Sequence, residues 1–352
     1  IYPGPKLLFS IFLSNNENEN HFYKFLKFIE SKIDLILKND INMNLPGIVF
    51  IKLLRLLSET HIYHHIYNIN NSSNKKNKEI KEAYEKLNFN ENTKKIFEKI
   101  FDIEINILTQ IYQQSKENVF KTGRELLRHL TQLGKCDIEI INTILNDLIS
   151  PSKNDSDDYF SINNIINLPY DQEGCNIYAQ INVPPLLERM IIFLLTKVKK
   201  SSPFSYYLHW IYREFDLENH TGNTLLVDII RFIMTNHIFY KRNSSLSDKI
   251  PRPFILSYLI RKTRHKIISI EMKQAIFMDL ILYDKNRDDI LLIEPSVSSI
   301  ILNLKDYPEI SEELIEFLDL YVNNFYPNKI QKWLDSIYNG IKMCEEKGVI
   351  VN

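Results

Sequence analysis

Residues 225–260 read LLVDIIRFIMTNHIFYKRNSSLSDKIPRPFILSYLI. Leu225, Leu226, Ile229, Ile230 and Ile233 recur at i, i+1, i+4, i+5 and i+8, which lays them along one stripe of an α-helix. Asp228 and Arg231 fall off that stripe and are expected to point elsewhere. A polar, basic loop follows, carrying Lys241, Arg242, Ser245, Ser247 and Asp248. Pro251 and Pro253 then set a new first turn, because proline's fixed φ suits a helix start and its missing N–H has no intrahelical partner there. Phe254, Ile255, Tyr258 and Leu259 form the apolar side of the second helix. The segment is therefore a helix–loop–helix unit with no catalytic constellation, the kind of unit that stacks into a scaffold.

The same rhythm extends along the chain. Phe22, Phe25, Ile29, Ile33, Ile36 and Leu37 open it, and further helices are expected near 46–67, 79–88, 91–116, 120–133, 137–149 and 159–167. Beyond the polar break SPSKNDSDD at 150–158, helices are expected near 184–200, 203–216, 223–238, 252–263, 269–283, 289–303, 311–325 and 328–347. In 203–216 the stripe is Phe204, Tyr207, Leu208, Ile211, Tyr212 and Phe215. In 120–133 it includes Leu126, Leu127 and Leu130. Many helices with short connections imply antiparallel pairs, and pairs spaced by roughly 40–45 residues fit a HEAT/armadillo-like α-solenoid. The fold class is thus all-α. An N-terminal helical segment, 1–116, contains the low-complexity loop 68–78 (NINNSSNKKNK). A helical-repeat region, 117–352, follows and can be continuous with it.

Composition agrees. Only 8 of 352 residues are glycine, roughly 2% against a usual ~7%. Sheet proteins rich in tight turns and nucleotide folds with glycine-rich loops both need more. The formal net charge is −1, so bulk charge implies no nucleic-acid affinity. Cys136, Cys175 and Cys344 lie far apart, which is not a disulfide framework and points to a reducing compartment. No apolar run reaches the ~18 residues of a membrane-spanning helix. The chain begins at Ile1, and it reads as a fragment of something longer.

Four stretches are candidates for chemistry. His61 and His65, in THIYHHIY, sit four apart as zinc ligands on a helix do, but a hydrolytic site would want a glutamate between them. The sequence has Ile62, Tyr63 and His64 instead, and reads as a histidine cluster at a helix end or surface. In DKNRDDI, Asp284, Asn286 and Asp288 match the opening of a calcium loop, but Asp289 replaces the required glycine and Pro295 the terminal glutamate. This reads as an inter-helix loop. The cysteines have no flanking signature of a nucleophile, and there is neither a phosphate-binding loop nor a G-x-S-x-G elbow. The chain is read as a non-enzyme with no cofactor or metal. Finally, Lys197, Lys199, Lys200, Lys241, Arg242, Arg252, Arg261, Lys262, Arg264 and Lys266 make a basic-leaning region with Tyr206, Tyr207, Trp210 and Tyr240 interleaved. Bases stack on aromatic rings and phosphates pair with cations, so direct binding of single-stranded nucleic acid by 197–266 is the alternative function. Against it, helix ends attract cations and aromatic stripes are commonly core.

The chain also carries an ordered set of motifs: TGRELLRHL at 122–130, VPPLLERMIIFLLTKV at 183–198, YYLHWIYREF at 206–215, LLVDIIRFI at 225–233, Leu246-Ser247-Asp248 with Ile250-Pro251-Arg252, IEPSV at 293–297 and NNFYP at 323–327. In this order and spacing, residues 117–350 resemble the N-terminal helical region of the Integrator complex subunit 3 family, whose members also belong to the sensor of single-stranded DNA (SOSS) complex. Residues 1–116 carry no such motif. The resemblance implies a nuclear, non-catalytic HEAT-like scaffold. It implies partners: an OB-fold single-stranded-DNA-binding protein, a small third subunit and other Integrator subunits. Nucleic acid would be reached indirectly, and no membrane is involved. It further implies roles in RNA polymerase II transcription, small nuclear RNA processing and the DNA damage response. Arg124, Arg128, Trp210, Asp228, Arg231 and Arg252 are the partner-binding candidates this suggests. Each has a plainer reading: Asp228 and Arg231 as a local i, i+3 ion pair, Trp210 as a core residue.

Overall fold

The structure, a computed structural model, describes residues 21–38, 44–57, 91–134, 137–149, 161–168, 181, 183–197, 204–215, 217, 220–235, 251–264, 266–325 and 327–349. Among these residues the regular structure is entirely helical, with no strand. The chain groups into two compact units, one within residues 6–180 and one within 181–352.

The first unit contains α1 (His21–Ser31), α2 (Ile33–Leu37), α3 (45–57), α4 (Glu91–Gln114), α5 (Lys116–Phe120), α6 (Arg124–Leu133), α7 (Glu139–Ile149) and α8 (Ile162–Asn167). α4 is its spine. Ile96, Ile100, Ile103, Ile107 and Ile111 recur at three- and four-residue steps and are buried, as an amphipathic helix requires. This helix packs on α1 and α2, and it also meets α5 and α7. Helices on both sides of residue 116 thus share one unit. Two local devices fix the geometry. Asn44 caps α3 by accepting from the Gly47 N–H (3.2 Å) while its Nδ2 donates to the Asn118 carbonyl of α5 (2.8 Å), so one side chain both starts a helix and ties it to a neighbour. Gly123 precedes α6 at φ 67°, ψ −134°, a backbone position that glycine adopts without a Cβ penalty.

The second unit contains α9 (Pro185–Lys197), α10 (Phe204–Glu214), α11 (His220–Thr235), α12 (Pro251–Lys262), α13 (Lys266–Ile281), α14 (Glu294–Asp306), α15 (Pro308–Asn324) and α16 (Ile330–Glu346). α11 packs on α13 and α12 on α14, so each helix stacks against its next-but-one neighbour; α15 and α16 then close on α13 and α14. The helix expected over 289–303 is instead a single 3-10 turn, Ile290–Leu292, capped by Asp289, followed by a fresh start at Glu294 with Pro295 in its first turn. The helix expected from 311 begins at Pro308, with only Tyr307 between it and the end of α14. In both places proline's preference for a first turn decides the boundary. Gly340 brings α16 against α13: a Cβ there would lie 2.9 Å from Leu280 and 3.0 Å from Ile293.

One expectation is corrected here. α11 is not a helix with one buried stripe. Every residue from Leu225 to Thr235 is buried, Asp228 and Arg231 included, because α12 and α13 both pack against it. The loop at 236–250 lies outside the described residues, as do 58–90, with His61 and His65, and Cys136 and Cys175.

Candidate functional site

The side chains singled out in the sequence separate into an interior group and a surface group. Arg231, fully buried, donates from NH1 to Asp279 Oδ2 (2.7 Å) and to the Ala275 carbonyl (3.2 Å), joining α11 to α13. Its ion pair with Asp279 spans 48 residues. Arg252 is buried at the start of α12. Its NH2 donates to Glu294 Oε2 (2.9 Å) and its NH1 to the Leu291 carbonyl (2.8 Å). Burial holds the Arg252 guanidinium below its ordinary pKa, with the Glu294 carboxylate opposing that shift. Each of these two buried cations is therefore matched by an opposite charge and a carbonyl, the condition for a charge to survive in a core.

Smaller polar groups complete this interior seam. Asn303 donates to Ser257 Oγ (2.8 Å), Ser296 to the Ile276 carbonyl (2.8 Å) and Ser311 to the Ile300 carbonyl (2.6 Å). Lys273 of α13 pairs with Glu313 of α15. Trp333 is fully buried and donates from Nε1 to the Phe325 carbonyl (2.6 Å).

In the other unit, Arg124, Glu125, Arg128 and His129 are all buried on α6 beside Leu126, Leu127 and Leu130. Arg128 Nε donates to Glu125 Oε2 (2.8 Å), and its NH2 lies 3.0 Å from His129 Nε2. Also in this unit, Asp147 of α7 receives Tyr112 Oη (2.6 Å) and Lys116 Nζ (2.8 Å). Burial pushes the Asp147 carboxyl up, but the hydrogen bonds from Lys116 and Tyr112 and the Lys116 charge outweigh it and leave its pKa lowered.

Trp210 belongs to the surface group. Tyr206, His209, Trp210 and Arg213 stand at i, i+3, i+4 and i+7 on α10, and all four are exposed. Leu208, Ile211 and Tyr212 hold the opposite, buried face. Beside this face lies a shallow groove of about 190 Å³ between α9 and α10, lined by Met190, Phe193 and Leu194 from one helix and Tyr207, Trp210 and Ile211 from the other, with Arg189. Phe193 meets Tyr207 edge-on at 6.1 Å. On the other side α12 packs close: Tyr212 donates to the Lys262 carbonyl (3.3 Å), and Tyr258 Oη lies 3.5 Å from His209 Nδ1.

The remaining candidates are structural. In the 284–290 loop, Asp284 accepts from the Asn286 N–H, Asp288 from the Asp284 N–H and from Arg287, and Asp289 from the Leu291 N–H. Those carboxylates fold the linker. Cys344 is buried, and burial pushes its thiol up to about 12, far from the thiolate a nucleophile needs. Among the described residues no cluster of three His, Cys, Asp or Glu is placed to hold a metal, and no helix is long and apolar enough to cross a membrane.

The fold sets out two exposed surfaces. One is the aromatic–cationic face of α10, a second stripe interleaved with the core stripe. The other is on α16, where Leu334, Tyr338 and Ile341 are exposed at i, i+4 and i+7 while Trp333, Ser336, Gly340 and Cys344 are buried on the other side. Its signal in the sequence is the same kind of second apolar stripe.

Comparison with known proteins agrees with the motif order. Residues 83–352 match the Integrator complex subunit 3 N-terminal family. The chain is 26% identical over 250 residues to the Integrator complex subunit 3 homolog of Drosophila yakuba, covering 71% of this chain and 22% of that protein. It is 31% identical over 176 residues to the homolog of Drosophila erecta, covering 50% of this chain and 16% of the relative. A third similar protein is the homolog of Dictyostelium discoideum, 24% identical over 249 residues, covering 70% of this chain and 16% of the relative. The chain thus spans between 16% and 22% of the length of these curated relatives. With the family match running unbroken from residue 83 to residue 352, the chain belongs to the Integrator complex subunit 3 N-terminal family.

Proposed function

We propose that this chain is a non-catalytic helical scaffold of an Integrator-type assembly in the nucleus. The observation that carries the reading is the family match over 83–352. The described helices fit the role. Arg231, Arg252 and Lys273 each tie two elements together, which suits a rigid support more than a reaction site. The stacking of α11 on α13 and α12 on α14 supports a HEAT-like solenoid in this region. An exposed apolar stripe such as Leu334, Tyr338 and Ile341 is the kind of surface that an assembly covers with a partner.

In this reading the partners are other Integrator subunits, an OB-fold single-stranded-DNA-binding protein and a small third subunit. The assembly acts in RNA polymerase II transcription, small nuclear RNA processing and the DNA damage response. Of the six partner-binding candidates, Trp210 offers an exposed ring, Arg231 and Arg252 act on partner surfaces by holding the helices that present them, and Arg124, Arg128 and Asp228 are buried. Co-purification with the OB-fold protein of the same organism tests the proposal. A stable complex at micromolar concentration is expected, weakened by Tyr338→Glu if α16 is the docking helix. Absence of any complex at that concentration overturns the sensor-complex part of the reading.

A further inference from the structure

We propose that the exposed face of α10, with the adjoining end of α12, is a track for single-stranded nucleic acid. The inference rests on surface chemistry alone and stands or falls independently of the assembly reading above. Tyr206 is 67% exposed and Trp210 44% exposed, so both rings offer a face on which a base can stack. They sit one helical step of four residues apart, about 6 Å along the axis. That exceeds the ~3.4 Å base step of a duplex strand, so the pair suits a strand whose bases are splayed onto separate rings.

Charge on the same helices has the complementary sign. Setting aside the buried Arg252, residues 185–197, 204–214, 251–264 and 266 contain seven Lys and Arg against two acidic residues, in a chain whose net charge is −1. Arg213, Lys262 and Arg264 are exposed and, among the described residues, make no ion pair. Arg261 is set apart, stacked over the Tyr307 ring at 3.9 Å. The Tyr212–Lys262 hydrogen bond and the Tyr258–His209 approach place the end of α12, which carries Lys262, alongside α10. An acidic polypeptide would satisfy the cations but has no flat π-face for Tyr206 and Trp210. By contrast α15 of the same unit carries five acidic residues and no Lys or Arg, and would repel a phosphate backbone.

The test is a titration of a labelled deoxythymidine oligomer with the whole chain at two salt concentrations, followed by anisotropy and by tryptophan fluorescence. The chain has two tryptophans, and Trp333 is fully buried, so quenching on binding reports Trp210. Expected results are salt-dependent binding with quenching, a roughly ten- to hundredfold loss in Tyr206→Ala/Trp210→Ala, and a salt slope smaller by about 0.7 in Arg213→Ala, with unchanged circular dichroism in each variant. Four results overturn the proposal: no binding by the unaltered chain, binding that survives loss of both rings, equal affinity for duplex DNA, or displacement of the oligomer by polyglutamate at matched charge, which would mark an acidic-polypeptide surface instead.

Discussion

α10 and α11 are neighbours in sequence and opposite in what they do with polar side chains. On α11 the charged residues go inward: Arg231 is buried against Asp279, and Asp228 is buried on the same helix. On α10 the aromatic and cationic residues Tyr206, His209, Trp210 and Arg213 go outward, and the other side packs. The contrast follows from position. α11 has α12 and α13 against it, so every direction around it is interior and a charge is tolerated only with a partner. α10 is covered over part of its circumference, and its second stripe is left to solvent. Charges in a motif are thus no guide to a binding surface until the helix's neighbours are known.

The sharpest way to break this contrast is to remove one member of a buried pair. Arg231→Met leaves the Asp279 carboxylate buried without its guanidinium, and roughly 3–5 kcal/mol of stability should be lost in urea unfolding. Arg231→Met with Asp279→Leu should recover much of that, since an apolar pair of similar volume avoids both desolvation costs. A double variant as unstable as the single one would show that the defect is packing rather than charge.

Smaller effects should follow at close approaches. Gly340→Ala presses a methyl into the Leu280 and Ile293 side chains, and overpacking of this kind costs about 1–3 kcal/mol. A neutral result there would mean that α16 has room to sit further from α13. In the first unit, the lowered Asp147 pKa stabilises the fold above the carboxyl's ordinary value near 4. That contribution fades as pH falls through the folded value. Asp147 is partly exposed, so the effect is modest and salt-sensitive. Asp147→Asn should therefore lower the melting temperature near pH 7 and flatten its dependence on pH below about 4; an unchanged acid profile would show that the Tyr112–Asp147–Lys116 link adds no stability. The smallest stability change is expected on α10, where Trp210→Ala should stay within about 0.5 kcal/mol of the unaltered chain. A large loss would put Trp210 in the core after all.

Much of the architecture was legible from residues alone. Helical periodicity placed most of the described helices to within a few residues, and of the stripe expected on α10 Leu208, Ile211 and Tyr212 are buried while Tyr207 and Phe215 are half-buried. Periodicity locates the face that a residue occupies on its own helix; it says nothing about what lies opposite. Hence the 48-residue reach of Arg231 to Asp279 and the 42-residue reach of Arg252 to Glu294 could not be read, and Asp228 and Arg231 were expected away from the core. Arg252 ends one of the motifs and Glu294 lies in another, IEPSV. Two segments that carried the family resemblance as separate strings are thus one ion pair in space. The α10 face was partly legible: its aromatics and cations stand out in the sequence, but core and surface rings mix within one helix and only three-dimensional burial separates Tyr206 and Trp210 from Tyr212.

Beneath all of this, two charged residues of the family motifs, Arg231 and Arg252, hold helices together by pairing across the second unit. A double-mutant cycle on Arg252 and Glu294, using Arg252→Met, Glu294→Leu and the combination, measures that pairing in urea unfolding. Each single variant is predicted to lose roughly 3–5 kcal/mol, with a coupling of about 1–3 kcal/mol between them. Additive losses, with no coupling beyond error, would contradict it.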